Sequence, residues 1–429
     1  MKRRMGFLEA SMYAGANTPV NVVFTVRIDG QLREENLHVA LGKVQNKHPL
    51  LHVTVEEDVR GIPWYATPEQ ASPIPLRIVR RFSDDHWKNE AETEWKTMFD
   101  MAGGPLARLV WIRAQHCSEL MLVCHHCICD ATSVITIMRE ILEITDRPDI
   151  ELSPYTSLSI RELIPNQVRR NVLNKITARL IAGITWIYLR TVSHMKEIRK
   201  DHFYTIRWKL SNEETAAVLA RCKKEGISVN SALCLVFMKA FESMPHLKLK
   251  GKIFCPVDIR RFLPEVKKDH LFAFPSVAGI PFLRNQKLSF PQQANQLKER
   301  LYSEIASTNA RKMLMFTEYL VPLYPRSIRY AKAGKGPHDF NFSNLGRIDI
   351  GEDYDTFRVA EVHSPYSQFP MGNPTKIVIS TFRQQIDFAF ASEDGFLKYQ
   401  EAVAIGEKAM QLLADNLTGV ELTPSLDLK

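Results

Sequence analysis

Apolar and polar positions along the chain recur with two different periods, and the points where the period switches outline its elements. Residues 21–29 ("NVVFTVRID") are β-branched and alternate, as a half-buried strand does, and Gly30 closes them. Leu37, Ala40, Leu41 and Val44 then follow helical spacing until Pro49 stops them. A second helix is expected within 84–100. After the turn "GGP" at 103–105, "LARLVWIRA" and "ELMLVC" form two strands joined by polar "QHCS", which predicts a hairpin. Directly behind the second strand, Val134, Ile137, Met138, Ile141 and Leu142 share one face of an amphipathic helix, with Thr132 or Ser133 as its cap.

The second half repeats this alternation. A linker is expected at 152–167, where prolines and hydroxyl residues cluster. Val168, Val172, Ile176, Leu180, Ile184, Ile187 and Met195 then make a stripe about four residues apart, which predicts a long helix with a cationic face. A strand over 202–210 runs into Ser211, whose spacing to Glu214 is that of a capping box, so a helix begins there. A buried helix is expected over 227–244, strands within 250–263 and 272–282, helices over 290–307 and 311–324, a hairpin over 375–392 and a closing helix over 395–417. The fold class is α/β (α+β), with a first lobe at 1–155, a linker and basic helix at 156–203, and a second lobe at 204–429.

Composition fits that plan: 429 residues, 45% hydrophobic and 24% charged, describe an ordinary globular chain with ample core. The seven cysteines are odd in number and several sit in apolar runs, which points to reduced thiols and a cytoplasmic protein. "MKRRMGFLEASMY" starts like a secretion signal, but Glu9 breaks its apolar stretch, so it reads as mature protein. The formal net charge of +8 is concentrated: residues 166–200 hold eight basic residues against Glu197 alone. "LIAGITWIYL" has about half the roughly 20 residues a membrane span needs. The chain carries no phosphate-binding glycine loop or dinucleotide fingerprint, and "GKGP" at 334–337 is too short to cradle a nucleotide.

The densest chemistry is "CHHCICDATS" at 124–133. As a metal site it fails on geometry, because adjacent residues at a strand end point to opposite faces and cannot converge on one ion about 2 Å away. No second Cys/His pair at knuckle spacing exists elsewhere in the chain. Two readings stay open. His125 and His126 are sheet-edge residues among small apolar cysteines, or one of them is a neutral imidazole facing a cleft, with Asp130 as the nearby carboxylate that fixes its surroundings.

"HHCICD" resembles the HHxxxD motif of the acyltransferase superfamily related to chloramphenicol acetyltransferase, which includes peptide-synthetase condensation domains, alcohol acyltransferases and polyketide-associated acyltransferases. "LGKVQNKHPLL" is similar to that family's early helix with its His-Pro turn, "PVDIRRFL" to its arginine loop, and "NFSNLGRID" to its late Asn-x-Gly strand, in matching order over nearly the whole chain. The resemblance implies two chloramphenicol acetyltransferase-like lobes, each a mixed sheet flanked by helices, with a tunnel between them. It implies that His126 is the general base for acyl transfer from a thioester, on coenzyme A or the phosphopantetheine of an acyl carrier protein, to a small-molecule or lipid alcohol or amine. No tightly bound cofactor and no metal are expected. Asp130 is expected to pair with Arg260 and shape the turn, and His125 to anchor the loop. The family's glycine after the aspartate is Ala131 here. "SNLG" at 343–346 stands where many condensation domains have Asp-Phe-Gly-Trp-Gly, which resembles free-standing O-acyltransferases more closely.

Ser343 and Asn344 are candidates for substrate or oxyanion contacts, against turn chemistry near Gly346. Arg261 can bind an anionic substrate. Asn373 reads as a turn residue and His48 as structural. The basic helix at 166–200 is a solvated face, a dock for an acidic carrier protein or coenzyme A phosphates, or a peripheral membrane contact, which leaves membrane association open beside the cytoplasmic location. Nucleic acid is not expected, since the segment follows no recognition pattern. Amide formation, and a non-catalytic binder of acyl chains or carrier protein, are the rival functions.

Overall fold

The computed structural model describes residues 2–192, 194–273, 276–283 and 287–418. In chain order the first half supplies strands β1 (Lys2–Arg4), β2 (Asn21–Gly30), β3 (Thr54–Glu57), β4 (Pro63–Ala66), β5 (Leu76–Arg80), β6 (Ala107–Arg113) and β7 (Cys117–His125). The second half supplies β8 (Phe203–Lys209), β9 (Lys252–Pro256), β10 (Val277–Pro281), β11 (Phe340–Arg347), β12 (Phe357–Ser367), β13 (Lys376–Phe382) and β14 (Gln385–Glu393). Two main sheets result, ordered β12-β2-β7-β6-β5 and β10-β9-β11-β13-β14-β8, and β1, β4 and β3 form a small third one.

The periodic stretches fold as their patterns predict. The helices Glu34–Lys47 and Ala131–Asp146 pack on each other and cover the first sheet, while Val229–Glu242 and Tyr399–Leu413 cover the second. Ser211 Oγ accepts from Glu214 N at 3.1 Å and Glu214 returns the bond to Ser211 N at 2.7 Å, the reciprocal capping box that starts the helix Asn212–Lys224. The hairpin β13–β14 turns at Arg383 and Gln384, both with positive φ, as a two-residue turn requires. The strand expected over 272–282 forms at Val277–Pro281, and residues 274 and 275 lie outside the described residues.

Several expectations change. The cap of Ala131–Asp146 is Asp130, because its carboxylate accepts from Ser133 N at 2.9 Å; Thr132 and Ser133 lie inside the first turn. The 152–167 linker contains the short helix Ile160–Leu163 and the start of another, Asn166–Arg170, and Ile160, Leu163 and Ile164 are buried. The long basic helix is broken at Asn171, whose side chain accepts from Asn174 N and caps a new helix, Val172–Thr191, leaving Val168 before it and Met195 beyond it. β12 was missed by periodicity, and it sits in the first sheet beside β2 although it lies within 204–429. A cut at residue 203 therefore does not separate the two sheets.

β12 is the seam between the sheets. While it pairs with β2 from Phe357↔Gly30 to Ser367↔Val22, it also lies against β13 and β14. Ser364 N donates to Asp387 Oδ2 at 2.9 Å, the Ser364 and Ser380 hydroxyls meet at 2.8 Å, and Lys209 reaches Glu361 at 2.5 Å. A second tie comes from the loop after β9. Lys47 Nζ bridges Glu140 at 2.6 Å and Asp269 at 2.8 Å, Leu271 N donates to Tyr155 Oη at 2.8 Å, and the Tyr155 and His270 rings stack at 4.0 Å. His48 is fully buried with Nε2 2.7 Å from Glu140 Oε2, the structural role expected of it. Burial pushes the Glu140 carboxyl up, but His48 and Lys47 outweigh that and hold it below the usual range. No helix among the described residues is long and apolar enough to cross a membrane.

Lys47 ties two buried or half-buried carboxylates across the halves, so Lys47→Met should cost roughly 3 kcal/mol, the scale for removing one partner of a buried ion pair. Denaturant unfolding checks this, and a change under about 0.5 kcal/mol, the scale of ordinary surface substitutions, would mean the bridge contributes nothing.

Candidate active site

β7 ends at His125 and the chain turns at once into the helix Ala131–Asp146, so His126 to Asp130 form a tight strand-to-helix turn. The pleat parts the two histidines as a strand end must. His125 is fully buried between the rings of Tyr13 and Phe99, each with its centroid 6.2 Å away. Cys127 N donates to its Nδ1 at 3.3 Å, and burial, with the charge of neighbouring groups, brings its pKa down to about 3. A neutral ring holding the turn from inside is what this arrangement provides. Burial also pushes the Cys127 and Cys129 thiols well up, which keeps them uncharged and unreactive.

His126 points the other way and keeps partial exposure. Its backbone N donates to Val20 O at 2.8 Å, and its Nδ1 lies 2.8 Å from Cys129 O. A carbonyl only accepts, so Nδ1 carries the proton and Nε2 keeps its lone pair. Burial lowers the pKa of this imidazole and the Lys376 ammonium lowers it further, while the Cys129 hydrogen bond and Asp130 oppose them; the net shift is downward. At neutral pH the ring is therefore the free base, in the tautomer that can accept a proton at Nε2.

Asp130 and Arg260 meet in a two-pronged contact, Nη1 to Oδ2 at 2.6 Å and Nη2 to Oδ1 at 3.0 Å. Ser133 completes it: its hydroxyl donates to Asp130 Oδ1 at 2.7 Å and accepts from Arg260 Nη2 at 3.0 Å and Phe272 N at 3.1 Å. Burial alone would raise the Asp130 pKa, but Arg260 and Ser133 together bring it below the usual range. The carboxylate is thus occupied by the arginine and the helix cap, not by the imidazole.

Ser343 and Asn344 lie on β11, and among the described residues neither is hydrogen-bonded to the His126 turn. Asn344 Oδ1 accepts from Gly346 N at 2.9 Å, and Gly346 takes a positive φ of 67°, so the turn chemistry is realised there. Asn344 also borders a cavity of about 420 Å³ with Asn230, Asp258, Arg261 and Tyr302, on the second-lobe side of the Arg260 loop. Arg261 is exposed at its mouth. Asn373 clamps the turn it occupies, donating to His338 O and Asp339 O and accepting from Thr375 N.

Two neighbours of His126 escaped sequence reasoning. Phe369, just past β12, presents its ring edge-on with the centroids 6.5 Å apart. Lys376, the first residue of β13, lies close enough for its charge to act on the imidazole, and its Nζ is 3.3 Å from Ser367 Oγ. Burial brings the Lys376 pKa down to about 7. The available signal was strand alternation, since Lys376 shares a face with Val378 and Ser380, both buried. His126 thus stands where the end of β12 meets the start of β13, at the junction of the two sheets.

Two family models match the chain in succession: the condensation domain over residues 2–149, and the phthiocerol/phthiodiolone dimycocerosyl transferase C-terminus over residues 199–405. No curated protein sequence matches it significantly. Among solved structures, polyketide synthase associated protein 5 from Mycobacterium tuberculosis aligns with TM-score 0.67 and 15% identity over 96% of this chain and 97% of that one. The trichothecene 15-O-acetyltransferase of Fusarium sporotrichioides aligns at 0.69 with 13% identity, over 97% and 95%. The condensation domain of the monacolin K polyketide synthase aligns at 0.70 with 10% identity, over 97% of each. These likenesses show a shared fold, two lobes of mixed sheet and flanking helices, over the full length. With both halves matched in order by models of acyl-transfer and condensation enzymes, the chain belongs to the chloramphenicol acetyltransferase-like condensation superfamily that includes the polyketide-associated acyltransferases.

Proposed function

We propose that the protein moves an acyl group from a thioester, carried by coenzyme A or an acyl carrier protein, to a hydroxyl acceptor, with His126 as general base. The observation that carries this reading is the pinned tautomer: Nδ1–H donates its hydrogen bond to Cys129 O, which leaves the Nε2 lone pair free in a ring whose pKa is lowered. In the step, the acceptor oxygen attacks the thioester carbonyl carbon as Nε2 takes its proton. The C–S bond then breaks, and the imidazolium returns the proton to the leaving thiolate as free thiol. The products are an ester and a thiol, and the base is regenerated without any other bound group.

Asp130, Arg260 and His125 are positioning residues in this reading, since each fixes the turn and none carries a free reactive atom to the substrate. Asn344 accepts from Gly346 N at Oδ1 and keeps its Nδ2 group to donate to an acceptor or an oxyanion, whereas Ser343, next to it in β11, points to the other face of the sheet. A hydroxyl acceptor is favoured over an amine because the fold is shared with a 15-O-acetyltransferase and the "SNLG" segment departs from the assembly-line pattern.

Thiol release from a panel of acyl-coenzyme A and acyl carrier protein donors, with matched alcohols and amines, tests this directly. His126→Ala should lower turnover roughly 10²–10⁴-fold while donor binding persists. Equal turnover in both proteins would remove His126 from the chemistry, turnover with amines alone would assign amide formation, and binding without turnover in either would leave a carrier of acyl groups.

The pH profile provides a second test. Because His126 sits below its ordinary value, the acid limb of kcat/KM should fall below pH 6.5, the usual histidine value. A neighbouring cation disfavours the imidazolium, so Lys376→Met should raise the His126 pKa and move that limb to higher pH, whereas Lys376→Arg should not. An acid limb that stays in place in Lys376→Met would show the two groups to be uncoupled.

A further inference from the structure

The helix Val172–Thr191 turns its apolar side chains outward. Val172, Leu173, Ile176, Leu180, Ile184 and Ile187 are 47 to 73% exposed, and at the helical angle per residue they fall within about 120° of its circumference. Its opposite face buries Ala178 and Leu189, and the helix packs on Ala310–Leu320 and Tyr324–Ala333. A continuous apolar stripe in water is costly and marks a surface that meets something else.

Charge says what that is. Residues 172–191 contain no Asp or Glu, and Lys175, Arg179 and Arg190 line one border of the stripe, with Arg169 and Arg170 in the turn before it. Trp186 lies on the same border with the Arg190 guanidinium 5.3 Å over its ring, and Tyr188, on the far border, bonds its hydroxyl to that of Tyr330 at 2.6 Å. Cations and amphipathic rings bordering an exposed hydrocarbon face complement a surface that is negative outside and apolar just beneath. At 20 residues the helix is about 30 Å long, and it is not apolar enough to cross a bilayer.

We propose that the helix Val172–Thr191 seats this protein on an anionic lipid surface, lying in the plane of the interface with its leucine and isoleucine side chains in the acyl region. The inference stands on the helix alone and does not depend on the chemistry at His126. It also fits the break at Asn171, which lets this helix take an orientation independent of the short Asn166–Arg170 turn.

Cosedimentation of the full chain with vesicles of equimolar phosphatidylcholine and phosphatidylglycerol, against phosphatidylcholine alone, is the test. The native protein should bind the mixed vesicles and release them as salt rises. Leu180→Asp/Ile184→Asp should bind at least about tenfold more weakly, and Lys175→Glu/Arg179→Glu should lose about fivefold or more per charge. Thermal unfolding midpoints close to that of the native protein would confirm that both variants stay folded, since all four side chains face solvent or the helix border. Absent or equal binding to both vesicle types, or variants that bind as the native protein does, would overturn the proposal. So would a dimer dissolved by Leu180→Asp/Ile184→Asp, which would assign the stripe to a second copy, or an acidic carrier protein whose binding alone is lost in the variants.

Discussion

The ion pair between Asp130 and Arg260 is the contact on which the site is built. It is formed by residues from the two halves of the chain, two hydrogen bonds wide, and Ser133 closes it into a ring with the start of the helix Ala131–Asp146. One carboxylate thereby caps a helix, neutralises an arginine and fixes the path of the turn between it and His126. Its cost is desolvation of both charges, offset by geometry and by the extra hydroxyl. Because the aspartate is fully engaged there, the orientation of the His126 ring falls to a backbone carbonyl, Cys129 O, whose position depends on the same turn.

Around that pair the halves are held by contacts of different kinds. The loop carrying Asp269, His270, Leu271 and Phe272 docks on Lys47, Tyr155 and Ser133 through charge, stacking and hydrogen bonds. β12 joins them through a shared sheet edge. Lys376 and Phe369 reach His126 from the segments flanking this seam, so the electrostatics of the imidazole are partly set by residues far away in sequence. The lobes are therefore structural partners in the site and not merely its walls.

Much of this was legible in the sequence, and the exceptions have physical reasons. Strands and helices announced themselves by period, as β2 and Ala131–Asp146 show, although β2 is buried on both faces where its alternation implied one, and the Ser211 capping box marked its helix start to the residue. The partnership of Asp130 with Arg260 came from motif resemblance, since no local pattern links residues 130 apart in sequence. β12 escaped because "FRVAEVHSPYS" mixes charged and apolar positions on both faces, as suits a strand with one sheet beside it and another across it. Lys376 escaped because a single lysine at a strand start is usually solvated, and only the approach of β12 encloses it. The apolar stripe of Val172–Thr191 was legible as a period, but period alone does not say which side faces the protein.

The placement of β12 limits how the molecule can move. A clamshell hinge would have to strip this strand from β2 or drag it off β13 and β14, breaking a ladder that runs from Gly30 to Val22 on one side and the Ser364, Ser380 and Asp387 bonds on the other. Gaping of the lobes would accordingly break both sets of contacts at once. A ligand that reached His126 would meet it between sheets that stay latched, with the Phe369 ring edge-on beside the imidazole.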